Sequence, residues 1–187
     1  MSKICVRVAL PHRGAVSSRT VVLIGLGWLL IAIAVGAAGI VSTLRPPAPP
    51  LVLFGLTAVV LAAGWCPAGF RAWLVAIDER WLVGLHLTRF VGAYFLYLYG
   101  QRQLPYAFAV PGGWGDIAVA SLAAGLLVWG SPRHARRRPA YIAWNVLGLA
   151  DILFVVATAA RLGAADPESM AALLRLPLSL LPTFLVP

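Results

Sequence analysis

The stretch Trp81–Gly100, WLVGLHLTRFVGAYFLYLYG, constrains this chain more than any other. As a helix, roughly 20 residues rising about 1.5 Å each cross the hydrocarbon core of a bilayer. Yet the run carries His86 and Arg89 within it. A charge at that depth costs at least about 2.5–3.5 kcal/mol on insertion scales, so it faces a partner, a cavity or a ligand rather than lipid.

Composition agrees with a membrane setting. The 187 residues are 61% hydrophobic and only 11% charged, where soluble domains have about 25% charged residues. The net charge of +9 falls mainly in short segments between apolar runs, as a topology signal does, and no extended polar domain carries it. This argues against nucleic acid as a partner. Cys5 and Cys66 form no CxxC pair or metal cluster, and both fall on the expected cytoplasmic side, where thiols stay reduced.

Taken in order, residues 1–20 form a basic tail with Lys3, Arg7, Arg13 and Arg19 and no acidic residue. A first span follows over about 21–41. A cleaved signal peptide is the rival reading, but an apolar run of about 21 residues exceeds the usual 7–15-residue apolar region. The prolines of STLRPPAPP make a stiff outer loop before a second span over about 51–66. Phe70, Trp73, Leu74, Ile77 and Trp81 then recur at helical spacing. They fit either a helix lying in the inner interface or a continuation of the second span kinked at Pro67.

After the third span, over 81–100, QRQLPYAFAVPGGWG is broken by Pro105, Pro111, Gly112, Gly113 and Gly115. It reads as an outer connection capping the bundle, with a re-entrant segment as the alternative. Asp116 then reads as the N-terminal cap of a fourth span over about 116–130. SPRHARRRPA, with Arg133, Arg136, Arg137 and Arg138, is the strongest cytoplasmic marker. A fifth span covers about 140–160, RLGAADPES is the next outer loop, and a short proline-broken segment over 171–187 reads as re-entrant, kinked or truncated. The charge count places the N-terminus in the cytoplasm: Arg71 and Arg80 join the basic residues of the tail and the SPRHARRRPA loop, against Arg45, Arg102 and Arg161 outside. The expected fold is an all-α transmembrane bundle of five to six spans, with 21–187 as one domain.

The polar residues inside the spans are the candidate site. Arg89 lies about 12 Å beyond Trp81 and Asp151 about 16 Å beyond Ala140, so the two depths agree within a turn. The expected arrangement pairs Arg89 with Asp151, puts His86 and Asn145 one turn nearer the cytoplasm, and lets Gly92, Ala93 and Gly148 bring the helices close. The bland reading is an ion pair that sets helix register. The functional one is a site for a polar headgroup, a small anion or a relayed proton. Haem has little support, because His86 is the only histidine in a span and leaves a mono-His or dimeric site. Ser121 and Ser179 have no neighbouring His and no H-E-x-x-H occurs, so no catalytic or metal-ligating residue is assigned, no cofactor is specified, and an enzyme is the weaker reading.

RFVGAYFLYLYGQRQLPYAFAVPGGWGD, WNVLGLAD and LPTFLVP together resemble a pattern in small uncharacterised bacterial membrane proteins, over about residues 81–187. The resemblance implies that Arg89, Gly92, Leu104, Pro105, Asp116, Trp144, Asn145, Gly148 and Asp151 are family features, that the setting is a bacterial inner membrane, and that more apolar sequence follows the last stretch. It implies no activity. The expected function is a membrane binding or accessory protein that takes a lipid-like ligand or joins a larger complex. A small oligomeric carrier using Arg89 and Asp151 is the alternative. Membrane lipids, other membrane subunits or further copies of the chain are the expected partners.

Overall fold

The computed structural model describes residues 16–65, 68–130 and 136–186. Cys5, Cys66, Pro67, Arg133, His134 and the tail residues Lys3, Arg7, His12 and Arg13 lie outside them. Among the described residues every regular element is helical, and five helical stretches are long and apolar enough to cross a membrane. They are α1 (Ser18–Ala37), α2 (Ala48–Trp65), the composite rod Glu79–Gly100, α6 (Tyr106–Trp129) and α7 (Arg138–Ala165). On α1, Val22, Leu23, Ile24, Leu26, Leu30 and Ile31 are all uncovered by protein. A helix apolar on every side belongs in lipid.

Local chemistry sets the ends. Ser17 caps α1, its hydroxyl accepting from the Thr20 N–H at 3.1 Å, so the helix begins inside the stretch read as tail. Gly39 at φ +71° leads the chain out of α1. Pro49 and Pro50 sit in the first turn of α2, where missing N–H groups cost nothing. The short helix α3 (Ala68–Ala76) folds back: a Cβ on Gly64 would lie 3.6 Å from Leu74, whereas ten residues of continuous helix would separate them by about 15 Å. This decides for a separate helix over a kinked extension of α2. Trp73 Nε1 donates to Ser18 Oγ at 3.0 Å, tying α3 to the start of α1.

The third rod comprises α4 (Glu79–Leu85), a 3₁₀ stretch His86–Val91 and α5 (Gly92–Gly100). Asp78 caps it, accepting from the Arg80 N–H at 3.0 Å.

From Tyr106 onward QRQLPYAFAVPGGWG is helix and not a capping connection. Pro105 is the N-cap and α6 runs unbroken from Tyr106, so Gly113 and Asp116 lie within a helix and Asp116 caps nothing. Pro111 leaves the Ala107 carbonyl without its helical partner, but Ala107 is exposed and near the helix start, where the loss is cheap. The glycines serve packing rather than turning. Cβ atoms on Gly112 and Gly113 would lie 3.2 Å from Val155 and 2.8 Å from the Gly92 carbonyl oxygen. The buried face, Phe108, Ala109, Gly112, Gly113, Asp116, Val119, Ala120, Ala123 and Leu126, keeps helical spacing throughout.

Likewise α7 extends through Arg161 to Ala165, so the outer connection is shorter than read. The final segment is irregular, a 3₁₀ stretch Pro167–Leu174 followed by turns and one π turn at Leu181–Leu185. Ser179 and Leu176 pack on Gly36 near the end of α1, and Trp28 Nε1, near its midpoint, donates to the Thr183 carbonyl at 2.8 Å. The segment therefore dips beside α1 to about half its length and is not a sixth span-length helix. α6 is the centre, packed on α4, on the 3₁₀ stretch, on α5 and on α7, while α1 and α2 flank this group and join it chiefly through the final segment.

Candidate functional site

The 3₁₀ stretch builds the site. With three residues per turn, side chains at i and i+3 eclipse, so His86, Arg89 and Gly92 line up on one face instead of stepping around an α-helix. The Thr88 hydroxyl, donating to the Leu85 carbonyl at 2.7 Å, adds a side-chain bond across the same three-residue spacing. Gly92 then meets α6 so closely that a Cβ there would collide with the Gly113 carbonyl oxygen and lie 2.8 Å from Asp116 Cβ. That approach delivers Arg89 to its partners.

Arg89 is buried, and its guanidinium is held at three points. Nε donates to Asp116 Oδ1 at 2.8 Å, Nη1 to the Gly148 carbonyl at 3.1 Å and Nη2 to Asp151 Oδ2 at 2.7 Å. Two carboxyl groups from two helices thus meet one guanidinium. Small residues make room: Gly148 faces Arg89 Nη1, and Gly115 packs against the Asp151 carboxylate.

The structure brings Arg89, Asp151 and Gly148 together, with Asp116 as the member that sequence reasoning assigned elsewhere. His86 stands one 3₁₀ turn away, its ring edge-on to Trp144 at 4.7 Å between centroids. Trp144 Nε1 in turn donates to the Val119 carbonyl at 3.0 Å. Asn145 does not join the cluster: the buried face of α7 is Tyr141, Trp144, Gly148 and Thr158, and Asn145 lies on an exposed side, as Ala93 does on α5. Pro105 is the N-cap of α6, and Gly113 lies inside that helix, packed against Gly92. Among the described residues no three of His, Cys, Asp and Glu gather closely enough to hold a metal ion.

A cavity of about 790 Å³ opens onto this group. Its walls are mainly apolar, with Leu53 of α2, Val156 and Ala160 of α7, and Leu178 and Phe184 of the final segment. Arg89, Asp116, His86 and Thr88 supply the polar part of the wall, and Pro46, Pro47, Pro49 and Pro50 lie at the end next to α2's first turn. It exists because α2 stands off α7 while the final segment bridges them.

The family described as "Domain of unknown function (DUF8737)" matches residues 46–187. The chain belongs to this family. The DUF8737 region starts at Pro46, so it contains the Arg89–Asp116–Asp151 group and every wall residue of the cavity except Leu44, and it leaves α1 outside. No curated protein and no solved structure matches the chain.

Proposed function

We propose that this DUF8737 protein is a multi-pass protein of a bacterial inner membrane that binds a lipid-like amphipathic ligand in the cavity between α2 and α7, as a binding or accessory protein. The cavity carries the proposal. Small-molecule sites are mostly apolar clefts of about 300–1,000 Å³ with a few polar groups that fix orientation, and this one has such a wall around one charged cluster. The basic residues of the tail and of the segment before α7 support an N-terminus inside the cell. In that orientation the proline-lined end faces the outer leaflet, and a chain dissolved there reaches Arg89 and Asp116 without crossing water. The carrier alternative needs Arg89 to exchange partners during a cycle, and attachment at three points favours a fixed role.

Native mass spectrometry of the protein extracted gently from its own membrane tests this, with an absorption spectrum from the same sample. The expected result is a non-protein mass on the wild type that is lost from Ala160→Trp, whose ring fills the cavity. Wild type without such a mass rejects ligand binding, companion polypeptides establish the accessory role alone, and a Soret band moves attention to His86.

A further inference from the structure

Charge balance at the cavity wall restricts what head group the occupant carries. Arg89 has one positive charge and five N–H donors, of which three are committed to Asp116, Gly148 and Asp151. Two carboxylates around one guanidinium leave the group singly negative, and a single proton on either carboxyl makes it neutral. Neither state leaves positive charge to hold an anion, so a carboxylate or phosphate head would meet the Asp116 carboxyl in a medium where like charges repel strongly. A cationic head fares no better. Arg89 lines the same wall as Asp116 and sits 2.8 Å from its carboxyl, so any cation reaching Asp116 also faces the guanidinium.

We infer that the cavity selects a neutral, hydroxyl-bearing head on a long apolar chain, an inference that rests on the ligand-binding reading above. A carboxylate offers about four acceptor positions, and Asp116 has one filled by Arg89 Nε. A hydroxyl donating to Asp116 adds a partner without adding charge, and a hydrogen bond to a charged acceptor is among the stronger ones available. Asp151, the other carboxyl, does not line the cavity, so Asp116 is the acceptor the ligand meets. His86 and Thr88 lie on the same wall beside it. The apolar walls then hold the chain. Long-chain alcohols and quinols share this chemistry.

The test is a native mass spectrometry titration of the full chain in nanodiscs with matched twelve-carbon probes: dodecanol, laurate, dodecyltrimethylammonium, and a dodecyl benzoquinol beside its oxidised quinone. Each probe is run on wild type, Ala160→Trp and Asp116→Asn. The expected result is dodecanol or the quinol binding at least tenfold tighter than laurate and the ammonium, the quinol tighter than the quinone, and all such binding lost in Ala160→Trp. Whichever of dodecanol and the quinol binds tighter identifies the source. Laurate or the ammonium binding as well as the alcohol, and lost in Ala160→Trp, overturns the head-group assignment and leaves the cavity reading standing. Quinone and quinol binding equally overturns the donor role of the hydroxyl. Probe binding that Ala160→Trp leaves unchanged, or no binding of any probe, sinks the cavity reading and this inference with it. The comparison among probes on wild type stands even if Asp116→Asn fails to fold. Where that variant folds, it loses most of the preference for the alcohol.

Discussion

α6 and α2 are both apolar enough to cross a membrane, yet 39% of the most apolar window of α6 is buried inside the protein and only 6% of that of α2. The difference lies in the residues. α6 presents Ala109, Gly112, Gly113, Ala120 and Ala123 on one face with Asp116 among them, while α2 is Leu- and Val-rich with Leu53 as its buried residue. In a bilayer lipid tails are as apolar as Leu, so apolar surface alone does not bring helices together. Close backbone approach and polar ties do. α7 is clipped to α6 in the same way, by Trp144 to the Val119 carbonyl and by the Tyr141 hydroxyl, which lies 2.7 Å from the Gly130 carbonyl. The result is a tight group of three rods around a charged cluster, a lightly held flank, and a cavity where the flank stands off.

The largest effect is expected at the charged cluster. Arg89→Leu leaves two carboxyls facing each other, and breaking a buried ion pair from one side costs about 3–5 kcal/mol. The triple variant Arg89→Leu/Asp116→Leu/Asp151→Leu restores most of that, because no charge is left behind. Unfolding in mixed micelles of increasing dodecyl sulfate measures both, and an Arg89→Leu protein as stable as wild type contradicts the packing described.

Next comes a direct contrast between the two regions. Gly92→Leu drives atoms into the α6 backbone at Gly113 and is expected to lose about 1–3 kcal/mol or more. Gly55→Leu in α2, where nothing lies within 4 Å of a new Cβ, should change stability by less than about 0.5 kcal/mol. Equal losses in the same unfolding assay would erase the distinction between core and flank.

Smaller again is Gly148→Ala, whose new methyl would sit 3.3 Å from Arg89 Nη1 and 3.4 Å from Val119. A loss of about 1 kcal/mol is expected, and a rise in stability would mean that the guanidinium has room to move. Smallest is Trp28→Phe, which removes the bond to the Thr183 carbonyl. Polar contacts between membrane helices average about 0.6 kcal/mol. Its signature is faster amide exchange confined to residues 176–186, with the core unchanged.

Much of this was legible in the residues. The apolar runs gave the helices, and matching depths from Trp81 and Ala140 brought Arg89 to Asp151. Asp116 was missed because the Pro and Gly residues before it were weighed as turn punctuation, as they are in water. In lipid both are tolerated inside helices. The recurrence of small residues at Ala109, Gly112, Gly113, Ala120 and Ala123, with Asp116 in step with them, was the signal for a continuous packed helix. Asn145 was misplaced because it and Asp151 each lie about 60° from Gly148 around the axis but on opposite sides of it, and only the Asp151 side meets Arg89. The 3₁₀ winding that aligns His86, Arg89 and Gly92, and the stand-off of α2 that makes the cavity, arise from packing between distant segments and have no local signature.

The most direct test of the account is photolabelling of the full chain in nanodiscs with a long-chain alcohol bearing a diazirine midway along its chain, followed by mapping of the labelled residues. Labels concentrated on Leu53, Val156, Ala160 and the final segment, and displaced by excess dodecanol, are the predicted result. Labels spread evenly over lipid-facing residues such as Val22, Leu26 and Leu30, with no displacement, would show bulk lipid contact and contradict a binding site between flank and core.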